Sequence, residues 1–275
     1  MPGPLNSQQL EEFDRRGVLR MPGLLSAARV QRAGDYVRQR LEAVGLWRDG
    51  EWRLDAVPRP QWPDTGLKTS KVIGNKHPDV DALLDEPGLC AAVDQLLDGR
   101  AFDRAIYPRP QLLFTLPNAD VWTLPAGWHV DGPRLASGRR PGVQLFACLD
   151  TVQPRGGGTM VIAGSHRLLN DGQAVKAREL RRLLCRDPWF RELYSTASVD
   201  PGPRLRLLDQ PHLVDGIELE LLELCGAPGD AWLMDLGVLH SITPNATARP
   251  RMMATHRFIP EDLTQELAET FGWRP

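Results

Sequence analysis

The sequence predicts a mainly β fold with helical additions, an α+β chain whose core is an antiparallel sandwich or barrel. Three observations predict it. From Ile106 onward, short apolar stretches recur between turn residues. Before that point, apolar residues recur every three or four positions. A chain of 275 residues with 42% hydrophobic and 25% charged residues also has the balance of a globular protein that buries a substantial core. At roughly 150 residues per domain the length suggests two, yet single barrels and sandwiches reach about 250, so one domain with helical additions fits as well as two.

Taken in order, Asn6 to Gly17 has a polar cap, Leu10 and Phe13 at helical spacing and a glycine stop, which predicts a short amphipathic helix. Val18 to Met21 reads as a brief strand. Ser26 is the expected cap of a longer helix through about Ala43, in which Val30, Ala33, Val37, Leu41 and Val44 recur every three or four residues. Trp47 to Asn75 mixes tryptophan, proline and charge without a period, so loops with one strand are expected. Val80 to Leu84 and Leu89 to Leu97 read as short helices and close a mostly helical part, residues 1–105.

Residues 106–260 form the expected β core. Its strands are Gln111 to Thr115, Val121 to Leu124, Val143 to Leu149, Thr159 to Ile162, Leu219 to Leu224, Ala231 to Met234 and Met252 to Phe258. An insertion at about 168–216 interrupts it, with an arginine-rich helix over Gln173 to Leu184 and an irregular stretch to about Gly216. Leu263 to Phe271 reads as a closing helix within 261–275. Neither an internal repeat nor a low-complexity tract is visible.

The formal net charge of -2 supplies no broad basic surface for nucleic acid. No uncharged apolar run reaches membrane-spanning length and no secretion signal opens the chain, so neither a membrane nor export is expected. Cys90, Cys148, Cys185 and Cys225 lie too far apart for a zinc knuckle or a disulfide framework, which fits a reducing cytoplasm.

The chemistry centres on His129-Val130-Asp131. In an extended segment, residues two apart face the same way, so imidazole and carboxylate can converge on one ion. A His-x-Asp pair is common by chance and needs a third ligand. His240 supplies one, just after the apolar segment Trp232 to Leu239 and ahead of the turn Thr243-Pro244-Asn245. Two histidines and one carboxylate make the facial set that holds Fe(II) and leaves adjacent positions open for oxygen chemistry. Arg251, on the strand after the turn, can grip a carboxylate through two parallel hydrogen bonds. Arg249 competes for that role but precedes Pro250 and so lies nearer the turn.

Other candidates have plainer readings. His166 reads as structural, Gly156 to Gly158 as a turn rather than a phosphate loop, and His77, His212 and His256 as surface or core histidines. Trp128 and Trp232 either wall a pocket or pack the core. Arg134, Arg139, Arg140, Arg178, Arg181 and Arg182 would favour an anionic substrate if they faced the ion, but read more simply as solvated charge.

Four stretches together carry a family resemblance: Leu10-Glu11-Glu12-Phe13-Asp14-Arg15-Arg16-Gly17, Trp128-His129-Val130-Asp131, Gly157 through His166, and His240 with Pro244-Asn245 and Arg251. Their order resembles the phytanoyl-CoA dioxygenase family of Fe(II)- and 2-oxoglutarate-dependent oxygenases. That resemblance implies one oxygenase domain over residues 1–275, built on a double-stranded β-helix (jelly-roll, cupin-like) with the N-terminal helices packed against it. It also implies metal ligands at His129, Asp131 and His240, and Arg251 as the residue that binds the far carboxylate of 2-oxoglutarate. The implied cofactors are Fe(II), 2-oxoglutarate and O2, and the implied reaction is oxidation of a small-molecule substrate with release of succinate and CO2, with hydroxylation as the default product and desaturation or ring closure as open alternatives. Where the family often has a small hydroxyl residue two positions after the distal histidine, this chain has Ile242, flanked by Ser241 and Thr243, either of which can assist Arg251. Because Asp131 is present, oxygenation is expected rather than halogenation. Two rivals remain at this stage: a non-catalytic binding member of the fold and a cupin-like metal isomerase or hydrolase. The sequence assigns neither the substrate nor the oligomeric state.

Overall fold

Asn6 opens the first helix with a capping box: its side chain accepts the backbone N–H of Gln9, whose own side chain accepts the backbone N–H of Asn6. The computed structural model describes residues 5–54, 76–102, 108–132, 138–168, 177–195 and 202–271. In it this helix is α1 (Ser7–Arg16), ended by Gly17 in the left-handed conformation. β1 (Val18–Met21) follows, then α2 (Ala27–Glu42). Ser26 precedes α2 but its side chain does not cap it; its backbone N–H instead donates to Glu86.

The stretch expected to be loops with one strand begins with a small two-stranded hairpin, β2 (Trp47–Arg48) and β3 (Glu51–Trp52), turned by Asp49-Gly50 with positive φ at both residues. The rest of that stretch, 55–75, lies outside the described residues. α3 (Pro78–Asp81) runs into a 3-10 turn and then α4 (Pro87–Leu96).

The β core holds β4 (Gln111–Thr115), β5 (Val143–Cys148), β6 (Thr159–Ala163), β7 (His212–Val214), β8 (Ile217–Glu223), β9 (Ala231–Asp235), β10 (His240–Ile242) and β11 (Arg251–Phe258). The expected strand at Val121 to Leu124 does not form. Trp122 and Leu124 instead pack into the cluster beneath the insertion while Val121 is exposed, and just before the segment the N–H groups of Asn118 and Ala119 donate to the Asn245 carbonyl. β7 was not anticipated; it pairs with β8 across an Asp215-Gly216 turn. In the insertion, the helix is α5 (Ala177–Leu184), and positions 173–176 of the expected helix lie outside the described residues. The stretch after it, expected to be irregular, adds α6 (Pro188–Leu193) and α7 (Gly202–Leu205). α8 (Thr264–Phe271) closes the chain as expected.

Two antiparallel sheets face each other: a five-stranded one in the order β1-β9-β5-β11-β4 and a four-stranded one in the order β10-β6-β8-β7. Side-chain alternation along their strands sorts the apolar residues into three clusters. Phe146, Val161, Leu224, Met234 and Met253 fill the space between the sheets. Leu145, Leu233, Met252 and Ala254 point out of the larger sheet onto Phe13, Val37, Leu41 and Leu89 of the N-terminal helices. Met160, Ile162 and Leu219 point out of the smaller sheet onto Leu180, Phe190 and Leu193 of the insertion. This is the double-stranded β-helix with flanking helices that the resemblance implied. No helix among the described residues is long and apolar enough to cross a membrane.

Gly164 ties these layers together. It ends β6 with φ 87° and donates its N–H to the Arg16 carbonyl at the end of α1. A Cβ there would press into the Glu218 carbonyl of β8. Gly164→Ala is therefore expected to cost about 3 kcal/mol, from left-handed backbone strain plus the clash. Urea denaturation reads the loss directly, and an unchanged midpoint would contradict the account.

Candidate metal centre

A narrow backbone bridge brings the two separated motifs together. The N–H of His129 donates to the His240 carbonyl (3.1 Å) and the N–H of His240 returns the bond to the His129 carbonyl (2.9 Å). The imidazoles consequently stand side by side, ring centroids 4.2 Å apart. Two residues on, the N–H groups of Asp131 and Gly132 both donate to the Leu236 carbonyl, which turns the Asp131 carboxylate toward the rings. Its Oδ1 lies 3.9 Å from His129 Nε2 and its Oδ2 3.5 Å from His240 Nε2. One donor atom from each of the three residues falls within 4.8 Å of the other two, so the group can hold a metal ion.

The chemical state of these donors follows from their partners. His240 Nδ1 lies 3.0 Å from the Val238 carbonyl, which can only accept, so Nδ1 carries the proton and Nε2 is left with its lone pair toward the centre. Burial, then the neighbouring His240, lowers the pKa of His129 despite Asp131 beside it, favouring the neutral ring that coordinates metals. Burial alone would raise Asp131, but His240 whenever its ring is doubly protonated, and the Arg257 guanidinium throughout, outweigh it, and the carboxyl ionises well below its ordinary value. The His240 ring is buried, and Phe146 of the inter-sheet cluster meets it edge-on at 6.4 Å. The other side is open, with the His129 side chain 45% exposed.

Arg257 is the residue that sequence reasoning missed. Its Nε and Nη2 donate to the same Asp131 oxygen, Oδ2, at 2.8 and 2.5 Å. The signal was present in the period of two along β11: Arg251, Met253, Thr255 and Arg257 share one face of the strand, and Met253 belongs to the inter-sheet cluster.

Arg251 begins that same face. It is buried, its Nη1 donates to the Gly157 carbonyl (2.6 Å), and its Nε–H has no hydrogen-bond partner among the described residues. Burial pushes its pKa down to about 10, with Glu223 nearby holding the charge, so the guanidinium is cationic at neutral pH. Arg249 instead lies half-exposed, 3.5 Å from Asp150. The Ser241 hydroxyl donates to the Gly127 carbonyl, and the Thr243 hydroxyl to the Gly158 carbonyl, next to the one Arg251 holds. Ile242, on the His240 face of β10, is exposed.

The other candidates fall elsewhere. His166 Nε2 meets the Asp14 carbonyl, His77 caps α3 and stacks on Tyr36, and His212 stacks on Trp189. His256 is buried on the helix-facing side of β11 beside Phe258. Trp128 packs in the cluster beneath the insertion, whereas Trp232 lies between the sheets. Arg139 pairs with Asp262 and Glu266, and Arg140 with Asp14, Asp235 and the Leu96 carbonyl. Arg181 lies over Tyr194, Arg178 and Arg182 are exposed, and Arg134 lies outside the described residues.

Residues 13–253 match the family model for phytanoyl-CoA dioxygenase (PhyH). The chain belongs to the phytanoyl-CoA dioxygenase family. No curated protein matches it. Among solved structures, this family member is similar to the α-ketoglutarate-dependent carbocyclase SnoK from nogalamycin biosynthesis, at 16% identity, with 94% of this chain and 87% of that one covered and a TM-score of 0.55. It is similar to HygX from Streptomyces hygroscopicus, solved with nickel and 2-oxoglutarate bound, at 18% identity, 94% and 88% coverage and a TM-score of 0.55. It is also similar to EctD from S. alaskensis with bound Fe, at 18% identity, 94% and 78% coverage and a TM-score of 0.51. At these identities the likeness is one of fold.

Proposed function

We propose that this phytanoyl-CoA dioxygenase family member is an Fe(II)- and 2-oxoglutarate-dependent oxygenase in which His129, Asp131 and His240 hold the ion and Arg251 clasps the remote carboxylate of 2-oxoglutarate. The observation that carries the reading is the convergence of those three donors at one point in a member of this family. HygX with 2-oxoglutarate and EctD with Fe support the same cofactor pair here.

The residues suit both groups. Two imidazoles and one carboxylate form a mixed nitrogen and oxygen donor set that leaves adjacent positions free for a chelating keto acid and for O2. A buried guanidinium with an unpartnered Nε–H suits a carboxylate, which would accept that proton and neutralise the buried charge. Such a partner also explains why an arginine is kept in the interior at all. A metal isomerase or hydrolase gives Arg251 no comparable role.

When bound, the iron and 2-oxoglutarate supply the oxidising chemistry, with succinate and CO2 as the coproducts. The chain's own work is to orient and to exclude water. His240 is locked in one tautomer by Val238, and Asp131 is held by Arg257. Phe146 and its inter-sheet neighbours keep solvent from behind the centre. Of the two flanking hydroxyls, Thr243 is the one proposed to assist Arg251, because both side chains anchor on the adjacent Gly157 and Gly158 peptides. The substrate is a small molecule entering on the exposed His129 side, and hydroxylation of an unactivated C–H bond is the proposed outcome. Residues 1–275 are read as one oxygenase domain, since β1 of the helical N-terminal part is itself a strand of the larger sheet.

Anaerobic titration of the protein with Fe(II) and 2-oxoglutarate tests this. The expected result is the weak visible charge-transfer band of the chelate, appearing only when both are present. Absence of that band at saturating Fe(II) and 2-oxoglutarate would overturn the reading.

A further inference from the structure

Arg257 makes an unusual salt bridge. A guanidinium facing a carboxylate commonly places two N–H groups on two oxygens. Here both N–H groups, Nε and Nη2, converge on the single atom Oδ2 of Asp131. Neither arm is loosely placed. Arg257 stands on β11, where it is in register with Gln144 of β5. Asp131 is pinned through its own N–H to the Leu236 carbonyl. Oδ1, 3.9 Å from His129 Nε2, is left clear of the guanidinium.

A carboxylate can occupy one or two positions around a metal ion. With two imidazoles, one-atom coordination by Asp131 leaves three positions of an octahedron; two-atom coordination leaves only two. The proposed reaction needs three, because 2-oxoglutarate takes two and O2 the third.

We infer that Arg257 is a positioning residue that occupies Oδ2 of Asp131 and so restricts that carboxylate to a single metal-bonding oxygen, preserving the third open position. The inference rests on the assignment of His129, Asp131 and His240 as the metal-binding set. Arg257 touches the carboxylate and acts through it. A lysine at the same position places one ammonium on Oδ2 and can do part of the same work, whereas an apolar chain of similar length cannot.

The test uses Mn(II) as probe and the water-proton relaxivity of the Mn(II)-loaded protein as readout, because it reports the number of exchangeable waters on the ion and needs no turnover. Wild type is expected to hold three such waters. Arg257→Met is expected to hold two, an inner-sphere relaxivity lower by about a third, as Asp131 swings to chelate with both oxygens. Arg257→Lys is expected to return toward the wild-type value. Circular dichroism and thermal unfolding of each variant separate this from misfolding: a loss of fold alone lowers the melting temperature and Mn(II) occupancy without changing the water count of the ion still bound. Equal relaxivity in folded, Mn(II)-loaded wild type and Arg257→Met would overturn the inference while leaving the three-ligand site intact. If wild type bound no Mn(II), or His129→Ala bound it equally well, the site assignment itself would fall and this inference with it.

Discussion

Arg251→Ala is expected to weaken 2-oxoglutarate binding by two orders of magnitude or more while the metal stays bound. The size follows from what is removed. The guanidinium is buried, cationic and short of one hydrogen-bond partner, and the keto diacid would be the group that satisfies it. Removing one member of a desolvated charge pair typically costs about 3 kcal/mol or more, because the other charge is left unpaired. At 1.4 kcal/mol per tenfold, that is at least a hundredfold. Arg251→Lys should recover only part of it, since an ammonium cannot present a planar fork. Isothermal titration of 2-oxoglutarate into the Mn(II)-loaded variant, compared with Mn(II) binding alone, separates the two effects. Equal losses in both would place Arg251 in the fold rather than in cosubstrate recognition.

His240→Ala is expected to abolish both metal binding and 2-oxoglutarate-dependent succinate formation. His240 is the most enclosed of the three donors, its tautomer is fixed, and no other described imidazole stands close enough to replace it. His129→Ala should have the same direction of effect. His129 is the more exposed, so external imidazole should rescue that variant better than His240→Ala. Titration with Fe(II) or Mn(II) reads the loss, and full succinate production by either variant would refute the assignment.

Much of this architecture was legible from residue order. The Asn6 cap, the Gly17 stop and the apolar period of α2 gave the first two helices. Short β stretches between turns gave most of the strands, because buried strands leave compact apolar runs. What failed has local physical causes. Val121 to Leu124 is apolar enough for a strand, yet its apolarity serves packing beneath the insertion through Trp122 and Leu124 rather than a ladder. The two Asp-Gly hairpins lie in stretches whose polarity hid them, β2–β3 among charges and β7 at an edge where alternation is weak. Ser26 is a good cap by type, but the structure engages its backbone with Glu86 instead.

At the site, the three donors were readable because a motif order carried them, and the fold supplies their meeting through the His129–His240 bridge. The choice between Arg249 and Arg251 needed strand phase: one residue ahead of Pro250 faces solvent and Asp150, and one residue after it begins β11 facing inward. Arg257 escaped because the alternation along β11 marks its face but not its partner, Asp131, which lies 126 positions away.

β11 carries the consequence of these arrangements. Arg257 lies six positions after Arg251 on one unbroken strand, roughly 20 Å of extended backbone. The same rod therefore sets the spacing between the proposed grip on the distant acid group and the proposed brace beside the metal site. Inserting or deleting a single residue within it would flip one guanidinium to the helix-covered side, so this segment tolerates changes of side chain far better than changes of length. Descendants of this chain can vary their loops to accept new substrates, but the ruler between its two arginines is bound to keep its count.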